Sequence, residues 1–383
     1  MYPIADMEAG NFAVHIFNGK EMGKYIKRTP THVKRKNHVS ENLFLQKKFK
    51  KRILTLCRKP GGGILKWVKM LIETGPIRPP SEGESLLLRV TRNCPWNKCK
   101  FCYGSPYARR KFQIRSIEEV KREIDLIKSK LGNKVKAVFL QDADSLVMPS
   151  HKLLEILRYL RQALPNVERI TSYARVKSIF LKSEEELAKL RKAGLSRLHV
   201  GMESGDDEVL RYMDKGITSG EIVSACKKAK EVGIELSLYV MPGLGGKKWS
   251  KNHAKNSARV LNEIQPDFIR LRPLVPRVGT PLYNEWREGR FELLSPHEIL
   301  KELKIMVNNL NANTRLCFDH MRNPSYLKDG FYIPLFSPDY NGYKLPEEKL
   351  KVLKLIEEGL KIEESLYMSV EEIIEIEKEF YRV

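Results

Sequence analysis

Cys94, Cys99 and Cys102, three of the six cysteines in the chain, stand in a C-x4-C-x2-C pattern within residues 85–110. Thiolates that close in sequence converge on one inorganic centre, and soft sulfur ligands select zinc, copper(I) or an iron–sulfur cluster over hard, oxygen-seeking cations. A closed zinc site wants four ligands. The nearest downstream histidine is His151, far outside zinc-ligand spacing, and no second C-x2-C follows. A four-iron cubane held by three cysteines, with one iron left open to bind a small molecule, suits this donor set better. Ordinary buried thiols or a zinc knuckle are the bland alternatives. Cys57, Cys226 and Cys317 are scattered and make no disulfide framework.

The apolar run 86–90 just before Cys94 has the length of a buried strand, so the cysteines sit on the loop leaving a strand's C-terminal end. Further short apolar runs follow at 135–140, 169–173, 198–201, 234–240 and 268–272, which makes six strands. Between them run stretches of helical spacing. The first opens on Ser116 with Glu119 three residues on and places Val120, Ile124, Ile127 and Leu131 on one face. The same start recurs at Ser183 with Glu186, Thr218 with Glu221, and Ser295 with Glu298, the last with Pro296 at the first helical position. Strands alternating with helices predict an α/β chain with a parallel sheet. Six such units fit a partial (β/α)6 TIM-like barrel, with its chemistry at the C-terminal ends of the strands.

Each predicted strand end carries polar or glycine-rich residues. Gln141-Asp142-Ala143-Asp144-Ser145 follows the second strand, and Tyr173 and Arg175 follow the third. Gly201-Met202-Glu203-Ser204-Gly205 ends the fourth, and Met241-Pro242-Gly243-Leu244-Gly245-Gly246 the fifth. Arg272-Pro273-Leu274 and then Gly279-Thr280-Pro281-Leu282 follow the sixth. Asp142 and Asp144 read equally as a polar turn before a helix that Ser150 caps, and Arg175 as a structural ion-pair member. Glu203 reads also as a helix N-terminal charge, although the small residues around it suit close approach of a ligand.

Together these residues resemble the radical S-adenosylmethionine (radical SAM) superfamily, in the branch shared by oxygen-independent coproporphyrinogen oxidases and elongator-type enzymes. The resemblance spans roughly 84–283, and Phe101 before the third cysteine belongs to it. It departs in two respects: the commonest family spacing has three residues between the first two cysteines, where this chain has four, Pro95 to Lys98, and the family's usual glycine pair is absent beside Asp142 and Asp144. The resemblance implies a [4Fe-4S] cluster on Cys94, Cys99 and Cys102, whose open iron chelates S-adenosylmethionine. It implies that Asp142 and Asp144 lie where the ligand's amino group binds, and that Arg175 pairs with its carboxylate. It further implies that Glu203, with Ser204, meets the ribose and that Met241 and Gly243 belong to the adenine-contacting turn. Reductive cleavage would yield a 5'-deoxyadenosyl radical that takes hydrogen from a substrate the sequence does not name, and a reductant such as ferredoxin or flavodoxin is implied as partner.

With 42% hydrophobic residues the chain has enough for a sizeable core, and its formal net charge of +22 is unevenly spread. Over 20–59, fourteen lysines and arginines face only Glu21 and Glu41. This basic arm suits RNA phosphates, an acidic membrane surface, or plain solvation, and its aromatics are too few for a base-stacking platform. No apolar run reaches membrane-spanning length, and the first residues lack a signal peptide's pattern, so a cytoplasmic protein is expected. The organisation read here is a basic N-terminal extension at 1–83, the core barrel at 84–311 and a helical C-terminal extension at 312–383 closing the barrel. The aromatics of 323–343 read as packing more readily than as a cofactor box.

Several radical SAM subclasses fit poorly. No cobalamin signature and no second cysteine group stand in the chain, and Gly104 takes the place where coproporphyrinogen oxidases carry a fourth cysteine. An acetyltransferase domain does not fit the remaining length. Two other functions stay open: an RNA-modifying enzyme gripping its substrate through the basic arm, and a non-catalytic iron–sulfur or zinc binding protein.

Overall fold

Leu86–Arg89 is a strand because four consecutive residues are buried or half-buried on both faces, as in a parallel sheet covered on both sides. In the computed structural model, which describes residues 72–75, 78–102 and 111–381, this is β1. The basic arm lies outside the described residues. A short antiparallel pair follows, β2 (Thr91–Arg92) with β3 (Gln113–Ile114), bracketing the cysteine loop. The chain then alternates: α1 (Ile117–Lys130), β4 (Ala137–Gln141), α2 (Ser150–Ala163), β5 (Arg169–Ala174), α3 (Val176–Leu181), α4 (Glu184–Lys192) and β6 (Leu195–Glu203). It continues with α5 (Asp207–Tyr212), α6 (Ser219–Glu231), β7 (Glu235–Val240), α7 (Gly246–Ile264), β8 (Phe268–Leu271), α8 (Pro281–Arg287), α9 (Pro296–Asn309) and β9 (Thr314–Cys317). The hairpin β10 (Ser325–Lys328) and β11 (Phe331–Pro334), β12 (Tyr343–Leu345), α10 (Lys349–Lys361) and α11 (Val370–Tyr381) complete it.

The fold is α/β with one eight-stranded sheet in the order β1-β4-β5-β6-β7-β8-β9-β12. All neighbours are parallel except the last, where β12 runs against β9. All six expected strands are there, and β9 adds a seventh parallel one that no apolar run announces. The sheet curls, because side chains on one face meet across intervening strands. Phe139 on β4 meets His199 on β6, and Tyr173 on β5 meets Tyr239 on β7. Glu82, in a short turn before β1, reaches His199 at 2.9 Å.

Four helices open as their sequences dictate. Ser116, Ser183, Thr218 and Ser295 each accept from the backbone N–H three residues on, while Glu119, Glu186, Glu221 and Glu298 reach back to the capping residue's N–H. Ser150 differs from expectation: it is the first residue of α2 behind Pro149, and its hydroxyl donates to Glu186 Oε1 at 2.5 Å instead of capping its own helix. The side chains of α1, α2, α4, α6, α7 and α9 that face the sheet join one continuous core with the strands. Two smaller apolar groups lie elsewhere. Val209, Met213, Leu244, Leu274, Leu282 and Phe291 pack under the cysteine loop with Phe101, and Ile373 and Ile374 of α11 pack on Val275 past the end of β8. Among the described residues no helix is long and apolar enough to cross a membrane.

Candidate functional site

The loop after β2 is fixed from both sides before any ligand is considered. Asn93, immediately before Cys94, has φ +67°, and Asn97 has φ +52°, conformations that asparagine tolerates better than most residues. Asn93 N–H donates to Asp142 Oδ2 at 3.1 Å, and Arg89 of β1 donates to the same oxygen at 2.6 Å. On the far side Trp96 Nε1–H donates to the Asp214 carbonyl at 2.7 Å and its ring lies on Gly216. Lys100 N–H bonds the Met213 carbonyl, and the Lys100 carbonyl accepts from Leu282 N–H. Its ammonium sits 4.0 Å from the Tyr212 ring centroid and 2.9 Å from Glu285. The cysteines are thereby clamped between the end of β4, the segment after α5 and the start of α8.

The three thiols act on one another. Burial raises the Cys99 and Cys102 thiols, Cys102 to about 12; Cys94 raises Cys99 further, Cys99 and Cys94 raise Cys102 further, and Lys215 opposes both. Three half-buried thiols whose ionised forms repel one another are the donor set that a cationic iron centre answers, so the residues present suit a cluster. Among the described residues no three acidic, histidine or cysteine side chains stand at the separations of a single metal ion. A four-iron cluster takes each cysteine on a different corner and asks for a wider spread.

Glu203 is aimed at this loop by an irregularity in the sheet. The register between β6 and β7 shifts between Gly201 and Glu203, and Glu203 has φ +66°. A bulge at a strand's end redirects a side chain, and a left-handed non-glycine residue there marks a place where local structure yields to a site. Its Oε1 lies 3.1 Å from Lys215 Nζ, and both are only 13% exposed. Burial alone would lower the Lys215 ammonium, but Glu203 and the Cys99 sulfur raise it, so it stays charged. Arg175 joins them: its guanidinium lies 5.3 Å from the Trp96 ring centroid and its charge acts on Cys99. Arg175, Glu203 and Lys215 therefore gather beside the cysteines. Lys215 has no signal of its own in the sequence, because its approach depends on the chain turning back over twelve residues to Glu203.

The other expected residues have partners of their own within the fold. Asp142 is buried and spends Oδ2 on Arg89 and Asn93, while its Oδ1 has no hydrogen-bond partner. Asp144 is fully buried, accepts from Ser178 Oγ at 2.5 Å and from Arg175 N–H at 3.3 Å, and is raised by burial to about 6. Ser204 meets His253 Nδ1 at 2.8 Å and accepts from Asp206 N–H. Gly243, at φ +81°, gives its N–H to Glu302 Oε1 at 2.7 Å, and a side chain there would strike Ile299. The Met241 N–H donates to the Glu203 carbonyl, and the Met241 side chain is half-buried against the group that includes Phe101.

Residues 88–254 match the family model of the Radical SAM superfamily. The chain carries a radical SAM domain, and members of that superfamily are enzymes that use a [4Fe-4S] cluster and S-adenosylmethionine. It is 26% identical over 120 residues to the tRNA uridine(34) acetyltransferase of Methanocaldococcus infernus, covering 31% of this chain and 22% of that protein. It is 25% identical over 245 residues to the tRNA-2-methylthio-N(6)-dimethylallyladenosine synthase of Delftia acidovorans, covering 60% of this chain and 53% of that one. Among solved structures it resembles coproporphyrinogen III oxidase from Escherichia coli, with TM-score 0.45 and 15% identity over 58% of this chain and 51% of that one. The chain thus spans less than two thirds of these relatives.

Proposed function

We propose that the chain is a radical SAM enzyme in which Cys94, Cys99 and Cys102 hold a [4Fe-4S] cluster and the neighbouring strand ends hold S-adenosylmethionine. The observation that carries this reading is the gathering of Arg175, Glu203 and Lys215 around the cysteine loop, within a region that matches the family. When bound and reduced, the cluster supplies the electron that splits S-adenosylmethionine into methionine and a 5'-deoxyadenosyl radical. Cysteine-held clusters reach potentials down to about −700 mV.

The chain's own residues bind and orient. Arg175 and Lys215 are the cations for the ligand's carboxylate, and Glu203, free to accept on its second oxygen, is the ribose partner. The half-buried Met241 side chain is the surface for the adenine. Asp142, Asp144, Ser204 and Gly243 contribute by position. Asp142 ties Asn93 and β1 together just before Cys94, and Asp144 fixes the backbone N–H of Arg175. Ser204 and Gly243 hold the two turns that carry Glu203 and Met241 through His253 and Glu302. The inward-facing Phe139, Tyr173 and Tyr239 keep water from the barrel axis.

This reading is tested by anaerobic loading with iron and sulfide: the wild-type chain should take up about four irons, and alanine at any one of the three cysteines should lose most of them. Equal iron in all four proteins contradicts it.

A second reading, in which the substrate is RNA, is supported by the tRNA enzymes among the relatives and by the charge of the basic arm. Its test is RNA binding that weakens steeply with salt and is lost when the arm's lysines are neutralised.

A further inference from the structure

At the C-terminal end of β8 and just past the end of β9, on different strands from the cysteine loop and Glu203, two guanidinium groups share one carboxylate. Arg270 and Arg272 both donate to Asp319, the first to Oδ2 and the second from Nη1 to Oδ1 at 2.8 Å. Burial would raise Asp319, but the two arginines hold it below the usual carboxylate range. Arg272 lies 5.1 Å from the Tyr239 ring centroid and also interacts electrostatically with Tyr173 on β5, so its guanidinium points toward the barrel axis. Its Nη1 is spent on Asp319 and the Leu271 carbonyl, whereas Nη2 is buried with no hydrogen-bond partner. A charged donor left unanswered inside a protein asks for an acceptor.

His320 stands next to it. Its Nδ1 accepts from Arg322 N–H at 3.2 Å, and burial with the charges of Arg272, Arg322 and Arg277 keeps the ring neutral. A neutral imidazole that accepts at Nδ1 carries its proton on Nε2, which makes it a second donor. Arg322 and Arg277 are both engaged by Glu377 of α11, Arg322 in a two-pronged pair at 2.8 and 2.9 Å, so α11 closes this corner.

We propose that Arg272, with His320 beside it, binds an anionic group of the substrate, a carboxylate or a phosphate, at the mouth of the barrel. That the anion belongs to a substrate rests on the radical SAM reading; the anion site itself does not. Two cations against one carboxylate leave a net positive charge on the axis, and a planar guanidinium with one free edge matches an oxyanion.

The test uses the full chain and two probes, inorganic phosphate and acetate, each titrated against chloride at equal ionic strength while the melting midpoint is followed. One of the two should raise the midpoint saturably, and which one does so distinguishes phosphate from carboxylate. Arg272→Gln should weaken that apparent affinity roughly tenfold or more. Arg272→Lys, which keeps the charge facing Asp319 and so guards against misfolding of the glutamine variant, should weaken it too. No saturable rise with either anion, or wild-type affinity in both variants, overturns the site. Cys94→Ala should bind the anion as wild type does. A chain that cleaves S-adenosylmethionine but ignores both anions refutes this inference alone, and one that binds an anion but never cleaves refutes only the radical reading.

Discussion

A methyl group on Gly201 would collide with Glu203 Oε1 and stand 3.2 Å from Lys215 Nζ. Both are ends of flexible side chains, so Gly201→Ala should fold and should push the carboxylate out of its place beside Lys215. Its affinity for S-adenosylmethionine should fall roughly tenfold, the worth of one hydrogen bond to a charged group, with the melting midpoint little changed. Equilibrium binding at unaltered affinity would argue against Glu203 as a ligand residue. Asp144 gives a pH signature. Its carboxyl is raised from 3.8 to about 6 by burial, which outweighs the hydrogen bonds from Ser178 and Arg175. The unfolded chain releases this proton near 3.8 and the folded chain near 6. The stability that Asp144 contributes is therefore full below the first value and is lost as pH rises through the second. Asp144→Asn removes that titration, and its melting midpoint should fall less than that of wild type across this window. Parallel pH profiles would contradict the burial argument.

At the scale of elements, the cysteine loop depends on its two clamps more than on its own sequence. Trp96→Ala removes the bond to the Asp214 carbonyl and the packing on Gly216. The variant should bind less iron under limiting reconstitution while melting within a few degrees of wild type; full occupancy would show the Trp96 clamp to be dispensable. Ser295→Ala breaks one capping box and should cost about 1 kcal/mol of stability, measured by denaturant unfolding. Such starts were legible because a capping box is complete within four residues, and the parallel strands were legible because burial on both faces leaves a continuous apolar run. β9 was not, because Thr314–Cys317 contains only Leu316 and Cys317 as apolar residues and earns its place by pairing with β8. The Lys215–Glu203 pair and the shared Asp319 were equally hidden, since both are made by chain reversals that carry no local signal. Asp142 and Asp144 illustrate the converse. Their type and position suggested a ligand contact, and only the fold shows the Arg89, Asn93, Ser178 and Arg175 groups that engage them.

For the whole molecule, the sheet brings residues from β1 to β9 to one mouth, with cysteines and their cations on some strand ends and Arg272, Asp319 and His320 on others. Such a division suits an enzyme that holds a cofactor and a second molecule together. α11, tied down by Ile373 and Ile374 on Val275 and by Glu377 on Arg322, covers the corner beside the anion site. The measurement that tests the account most directly is anaerobic reduction of the reconstituted chain with S-adenosylmethionine, followed by chromatography for 5'-deoxyadenosine, with Cys94→Ala in parallel. The nucleoside should form with the wild-type chain and be absent from the variant. A chain that takes up zinc in place of iron, or that forms the nucleoside equally well without Cys94, would contradict the radical SAM reading.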